Sequence, residues 1–483
     1  MLLFWIVYGI AHATLRLSVS RTLTIDDARA NELTQQFALG YQVRQPPLYE
    51  WILWSVQQVL GPGVESHLLV RYSLIALIGI ATYGAVRAAT RSERWAAAAS
   101  LSLLFSYPVG WTFHEWATQT LLLCAACMFT VQAAVRFFER PGLRSAALLG
   151  LALAFGLYAK FSFPLMVAGL LLAALSIPET RRKLADVRLL ISLAILAILF
   201  SPYALWVWQV QGDVVADLSG HLVNQQRSHF ARAGYGLWRL LTSSVTFLLP
   251  WIAIVALLAP EAFVNPKADA AAPSLAERLA FRAMIFALAI AAVGIVFTGA
   301  TNIAARYMHP MLFIAPVYVF ARIARLAPVA AARNYAGLAM MFAVAILVIR
   351  FVGVTDNALT RSAERALLMP YERLGAAIAE RGLDRGTIAS VNVREAGNLR
   401  AAMPELRVTA RDSLRVQRVP QGTDLPCSFI WMEGQERAAR GVIGAAADKA
   451  EKIEIAAKPG GLFASRGGVW FLARLDPQSP ACR

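Results

Sequence analysis

The chain has 483 residues, 58% of them hydrophobic and only 16% charged, with a mean hydropathy of +0.53. That is too little charge to cover a soluble protein of this size, and several runs reach the ~20 apolar residues that cross a bilayer. The pattern is that of a polytopic α-helical membrane protein. The net charge of +16 does not point to nucleic acid: Arg87, Arg91 and Arg94, then Arg136, Arg140 and Arg144, then Arg181, Arg182, Lys183 and Arg188, then Arg322, Arg325 and Arg333 fall in every second loop. This is the positive-inside pattern, and it reports topology.

Spans are expected at about 2–19, 66–88, 93–110, 116–137, 146–158, 162–177, 187–209, 237–259, 280–298, 307–322 and 334–354, about 11 transmembrane helices in all. The first lacks a basic leading region and a small-residue cleavage site, so it reads as a retained helix rather than a signal peptide. Arg16 and Arg21 behind it run against the charge rule. The apolar run 146–177 is interrupted at Tyr158-Ala159-Lys160 and Pro164. A turn there divides it into two short spans and keeps the basic loops on one side. The odd count puts the N-terminus in the cytoplasm and the C-terminus outside.

On the outer side then lie a loop over about 20–60, a turn at His114-Glu115, the Lys160 turn, a loop at about 210–236, and the turn into Arg306-Tyr307. Residues 46–60 are amphipathic, too short and polar to span, and carry Trp51 and Trp54. Such a segment is expected to lie in the membrane interface. No internal repeat is visible, which weakens a transporter reading.

After about residue 355 the apolar runs shorten to 387–393, 406–410, 427–432 and 469–473, which read as strands, with helical stretches at 363–381 and 395–403. Residues 355–483 are therefore expected to form a small C-terminal α/β extracytoplasmic domain after a transmembrane domain of residues 1–354. Four cysteines are too few for a disulfide scaffold. Cys124 and Cys127 read as buried thiols within a span. Cys427 and Cys482 could pair in an oxidising compartment, and spacing alone leaves that open.

The chemistry-bearing residues concentrate on the outer side. Thr24-Ile25-Asp26-Asp27-Ala28-Arg29 follows the first span, and Gln45-Pro46-Pro47-Leu48-Tyr49 comes soon after. Thr24 and Asp27 have the spacing of a helix N-cap and its third helical position, which gives Asp27 a capping explanation. Asp26 and Arg29 share a helix face, and the plain alternative for them is a surface ion pair of small consequence. Lys160 could simply snorkel to the interface, and Arg306 could flank the membrane. His114 and Glu115, with His221 or His229, have ligand types suited to a divalent metal at a spacing that is not diagnostic. Interfacial polar residues are the competing explanation, and no cofactor is required by the pattern.

The Asp-Asp-Ala-Arg segment followed by Gln45-Pro46-Pro47-Leu48 resembles the first outer loop of the GT-C fold membrane glycosyltransferases, in the branch of the bacterial aminoarabinose, galacturonic-acid and protein-mannosyl transferases. Tyr158-Ala159-Lys160 and Arg306-Tyr307-Met308-His309-Pro310 resemble two later motifs of that family. Asp27 replaces the family's usual Glu, and Gln45 its usual basic residue before the prolines, so that cation would have to come from elsewhere, with Arg44 the neighbour at hand. The resemblance implies catalytic roles for Asp26, Asp27 and Glu115, with Asp26 as general base. It implies donor-phosphate contacts for Arg29, Lys160 and Arg306, and donor or acceptor contacts for Arg44, Tyr49, Tyr307 and His114.

The function expected on that resemblance is transfer of one sugar from a polyprenyl-phosphate donor to a lipid or glycan acceptor, lipid A or core-like. The reaction would occur on the periplasmic face of the bacterial inner membrane, without nucleotide sugar or nucleic acid. The rivals are a membrane transporter or lipid flippase, and a protein O-glycosyltransferase. Nothing in the pattern fixes an oligomeric state.

Overall fold

The computed structural model describes residues 1–210, 228–263, 272–328, 331–355, 366–416, 425–458 and 465–482. Helix α1 (Leu2–Leu17) leads to the short polar α2 (Ile25–Leu33), the amphipathic α3 (Leu48–Leu60) and the long α4 (Val64–Thr90). There follow α5 (Glu93–Ser102), the single turn α6 (Phe113–Glu115), α7 (Gln119–Glu139), α8 (Leu143–Ala159), α9 (Phe163–Ser176), α10 (Pro178–Lys183) and α11 (Leu189–Gln209). The membrane part closes with α12 (His229–Leu258), α13 (Leu275–Thr298), α14 (His309–Leu312), α15 (Ala315–Leu326) and α16 (Ala332–Val354).

Among the described residues, six of these (α4, α7, α11, α12, α13 and α16) are long and apolar enough to cross a membrane, and α1, α8 and α9 are shorter apolar helices. Helices α4 and α7 are buried over most of their length and form the centre of the bundle. The others keep exposed apolar faces, as helices in contact with lipid must.

Two of the expected spans are not continuous helices. The run 93–110 stops at Ser102, passes through a 3-10 turn at Leu103–Phe105 and a π-helical turn at Pro108–Thr112, and only then reaches α6. The run 307–322 is a 3-10 turn (Ala305–Tyr307) followed by α14 and α15, with a proline opening each helix, Pro310 and Pro316. Proline has no N–H to give to a helix interior, so it restarts the helix rather than continuing it. Apolar length alone does not register such breaks. Both breaks deliver non-helical backbone to the same end of the bundle.

Helix α3 covers the segment expected at the membrane interface. It starts after Pro47, stops at Gly61 in the left-handed region (φ +75°), and buries Tyr49, Glu50, Leu53 and Gln57 on one side. Between α8 and α9, Lys160 sits in an extended conformation with Pro164 opening the next helix.

The C-terminal residues form α17 (Tyr371–Ala379), α18 (Val393–Ala402), α19 (Glu436–Ile443) and strands β1 (Thr387–Ser390), β2 (Arg407–Ala410), β3 (Cys427–Met432), β4 (Glu451–Ile455) and β5 (Gly468–Leu475). The sheet order is β2-β1-β3-β5-β4. Strands β1, β2 and β3 pair in parallel, and β5 pairs antiparallel with both β3 and β4. One face packs Ile388, Val408, Ile430 and Trp470 against α17 and α18. The other packs Phe429, Trp431 and Ala473 against Ala439. Cys427 and Cys482 are disulfide-bonded, with Cα atoms 6.2 Å apart, tying the C-terminal turn to β3.

This α/β unit clamps α2. Gly397 lies so close to Ala28 that a Cβ there would run into the Ala28 carbonyl. Asn31 Nδ2 donates to the Gly397 carbonyl at 2.8 Å, and Asn398 Oδ1 accepts from the Leu23 N–H at 2.6 Å. Gln35 exchanges two 2.8 Å hydrogen bonds with the Val408 backbone. Glu32 accepts from Ser413 at 2.9 Å and pairs with Arg415 at 3.3 Å. Gly397→Val would therefore wedge α18 away from α2. The expected result is a folded protein, destabilised by about 1–3 kcal/mol as overpacked contacts usually are, whose activity falls at least about tenfold because α2 shifts. Melting curves and turnover measured together check this, and unchanged turnover would show that the clamp does not position α2.

Candidate active site

Thr24 caps α2: its Oγ1 accepts the Asp27 N–H at 3.4 Å, while its own hydroxyl donates to Asp27 Oδ2 at 2.8 Å. The Asp27 carboxylate is turned into the bundle, where Arg71 of α4 donates to both oxygens at 2.6 and 2.8 Å. Arg71 also donates to the Phe113 carbonyl at 3.1 Å, and His67 Nδ1 lies 3.7 Å from Asp27. Burial alone would push the Asp27 carboxyl up, but Arg71, then His67 and Thr24, hold it well below the usual carboxylate range. With Asp27 anchored inward, the next face of α2 presents Asp26 and Arg29 outward as an ion pair at 3.9 Å. Burial, and then the neighbouring Asp27 charge, raise the Asp26 pKa against the opposing pull of Arg29.

Asp26 and Arg29 form one wall of a cavity of about 400 Å³. Gln42, Arg44, Gln45 and Glu50 form a second wall, and Leu414 of the α/β unit closes an edge. The broken-helix region from Tyr107 to Thr120, the Lys160 turn, and Arg306, Tyr307 and His309 complete it. Lys160 Nζ donates to Thr120 Oγ1 at 2.7 Å. Burial, partly offset by the facing Cys124, lowers the Lys160 pKa to about 8. The Arg306 guanidinium sits 5.2 Å over the Tyr307 ring and donates to its hydroxyl at 3.2 Å. Four cations thus face two carboxylates, Asp26 and Glu50, an arrangement suited to an anionic ligand.

Residues 44–206 match the dolichyl-phosphate-mannose-protein mannosyltransferase family. The chain is 29% identical over 321 residues to the lipopolysaccharide core galacturonosyltransferase RgtA of Rhizobium johnstonii, covering 65% of this chain and 62% of that protein. It is 26% identical over 413 residues to RgtB of the same organism, covering 84% of this chain and 81% of RgtB. The crystal structure of ArnT from Cupriavidus metallidurans bound to undecaprenyl phosphate superposes over 100% of this chain and 98% of ArnT, with a TM-score of 0.61 at 15% identity. Together these likenesses support a GT-C fold membrane glycosyltransferase. The chain spans just under two thirds of RgtA, at 62% of that protein's length.

Of the site residues expected from the sequence, Asp26, Arg29, Arg44, Lys160, Arg306 and Tyr307 come together on the cavity wall. Four others do not line it. Asp27 is held by Arg71. Glu115 pairs with Arg350 at 3.2 Å. His114 is buried, bonded to the Tyr8 hydroxyl at 2.8 Å and the Tyr72 hydroxyl at 3.3 Å. Tyr49 is buried on the inner side of α3. The His114–Glu115 pair does not fit a metal, since both ring nitrogens face tyrosine hydroxyls and the carboxylate faces an arginine. His229 instead bonds the Val296 carbonyl at 2.8 Å, and His221 lies outside the described residues. Among the described residues no group of three or more His, Cys, Asp or Glu could hold a metal ion.

Sequence reasoning passed over Glu50, His309, Gln42, Gln119 and Thr120. Glu50 had a legible signal, because a carboxylate on the inward side of an amphipathic interfacial helix is costly to bury without a purpose. It accepts from Gln42 Nε2 at 2.8 Å and Gln119 Nε2 at 2.7 Å. Burial, against those hydrogen bonds, pushes its carboxyl up to about 7.

Proposed function

We propose that this chain moves a single sugar from a polyprenyl-phosphate-linked donor to a lipid or glycan acceptor on the periplasmic face of the inner membrane, with Asp26 as the base. The observation that carries the reading is the cavity that sets the Asp26 carboxylate among Arg29, Arg44, Lys160 and Arg306. In this chemistry the Asp26 carboxylate takes the proton of the acceptor hydroxyl. The acceptor oxygen attacks the anomeric carbon, and the bond from that carbon to the phosphate oxygen breaks. The departing lipid phosphate keeps the electron pair, and the cations stabilise its growing negative charge. A single displacement of this kind inverts the anomeric configuration.

The named relatives act on the lipopolysaccharide core with galacturonosyl units, which favours a galacturonosyl donor and a core-like acceptor here. The surplus of cations over carboxylates in the cavity supports a donor with two acidic groups, phosphate and uronate. Periplasmic placement is supported by the basic loops that alternate along the chain and by the Cys427–Cys482 disulfide, since disulfides persist in oxidising compartments.

Mass spectrometry of envelope lipids and glycans tests the reading. Deletion of the gene should remove one sugar mass from a lipid or core glycan, and restoration of the gene should return it. In the purified protein, Arg29→Ala should raise the KM for a polyprenyl-phosphate sugar by about tenfold, the scale of one lost charge contact in a partly solvated site. Unaltered glycoforms in the deletion strain would remove the transferase reading. An unchanged KM would remove Arg29 from the phosphate site.

A further inference from the structure

The cavity has a second chemical character besides its positive charge. Several buried side-chain polar atoms on its wall have no hydrogen-bond partner among the described residues, including Glu50 Oε2, His309 Nε2 and Gln45 Oε1. Leaving a buried polar atom unpaired costs about 1–3 kcal/mol, so a cluster of them on one cavity marks groups that a ligand completes.

With Glu50 as the carboxylate, two of them have a fixed sense. Glu50 has 0% exposure, and its other oxygen already accepts from the Gln42 and Gln119 amides. His309 Nδ1 lies 2.7 Å from the Arg306 carbonyl, which can only accept, so Nδ1 carries the proton and Nε2 is left as an acceptor. The ring is held in place by Phe113, stacked at 5.8 Å, and by the edge-on Phe247 at 5.0 Å. Both groups therefore call for a hydrogen-bond donor. A phosphodiester offers none and a polyprenyl tail offers none. A sugar ring offers several.

Resting on the transferase reading above, we propose that Glu50 and His309 hold the donor's sugar by its hydroxyl groups and so determine which sugar is transferred. The surroundings fit that division of labour. Gln119 and Thr120 are consecutive: the first holds Glu50, and the second takes the Lys160 ammonium at 2.7 Å. The hydroxyl-accepting group thus stands beside a phosphate-binding cation, as a sugar stands beside its phosphate. Tyr307 and His309, two residues apart, repeat the pairing across the cavity with Arg306.

Two lipids separate this from a general role in the fold: undecaprenyl phosphate, and undecaprenyl phosphate bearing galacturonate. In Glu50→Gln the amide can still accept from Gln42 and Gln119 while the unpaired oxygen becomes a donor. In His309→Phe the packing between the two phenylalanines is kept and the acceptor is lost. Each variant of the full-length protein should bind the sugar-bearing lipid about tenfold or more weakly, near 1.4 kcal/mol, and bind undecaprenyl phosphate as the parent does. No loss for either lipid would overturn the proposal while leaving the phosphate site intact, and equal loss for both would overturn it as a general effect on the site. A parent protein that binds neither lipid would remove the donor reading itself, and this inference with it.

Discussion

Asp26→Asn should lower kcat by about 10²–10⁴-fold, the usual contribution of a positioned general base, while the protein folds and still binds its donor. The change removes the proton-accepting oxygen and nothing else of weight. The Asp26 side chain is 36% exposed, and its ion pair with Arg29 spans 3.9 Å, so the pair contributes little to stability. A matched melting temperature and a matched donor affinity would then place the loss in the chemical step.

The pH profile adds a second reading of the same residue. Burial and the adjacent Asp27 raise the Asp26 pKa, so the acidic limb of the parent's kcat/KM should lie above the ordinary aspartate value of about 3.9. Activity appears as the proton leaves. In Asp26→Asn the contribution of Asp26 to that limb should vanish from whatever residual turnover remains. An Asp26→Asn protein with parental turnover would remove Asp26 as the base, whatever the state of the cations around it.

The sequence disclosed the bundle because apolar length is a local property, and most expected spans are helices within a few residues of their expected ends. It did not disclose the breaks at Pro108 and Pro310, where hydrophobicity continues although the helix does not. Those breaks are what bring Tyr107, Thr112, Arg306 and His309 to one cavity. The C-terminal sheet was legible through four short apolar runs. Strand β4 was missed because Glu451-Lys452-Ile453-Glu454-Ile455 is an edge strand that buries only Ile453, with charges on its open side.

The candidate site divides along the same line. Asp26, Arg29, Lys160 and Arg306 were visible because charges at the rim of a membrane helix are conspicuous. The partners of Asp27 and Glu115 were not. Arg71 stands 44 residues from Asp27, and Arg350 stands 235 residues from Glu115. Only folding joins them, and no local spacing encodes such a pair. The capping geometry of Thr24 and Asp27 was read correctly from the chain, yet it describes the lesser part of what Asp27 does.

Arg71→Met is expected to produce the largest loss of stability in the molecule. The Asp27 and Arg71 side chains are 6% and 1% exposed, and the guanidinium holds both carboxylate oxygens. Removing one partner of a buried pair strands the other charge, at a cost of about 3–5 kcal/mol. Replacing both by uncharged groups costs far less, because the desolvation of the pair is relieved together with its attraction. Asp27→Asn combined with Arg71→Met should therefore recover much of the melting temperature that Arg71→Met loses.

The pH dependence has a definite sign. In the parent, Asp27 is held below the usual range, so its stabilising contribution is fully present above about pH 4 and is lost only as pH falls through the depressed folded value. Without Arg71, burial dominates and the folded pKa rises above the unfolded one. The contribution is then present at low pH and lost as pH rises, so Arg71→Met should melt higher at pH 5 than at pH 8.

Because Arg71 also holds the Phe113 carbonyl that borders the cavity, the single variant should lose turnover as well as stability. The double variant should regain stability first and turnover only in part. Equal melting temperatures for the single and double variants would show that the Asp27 charge is accommodated without Arg71, and that α2 is held by the C-terminal clamp alone.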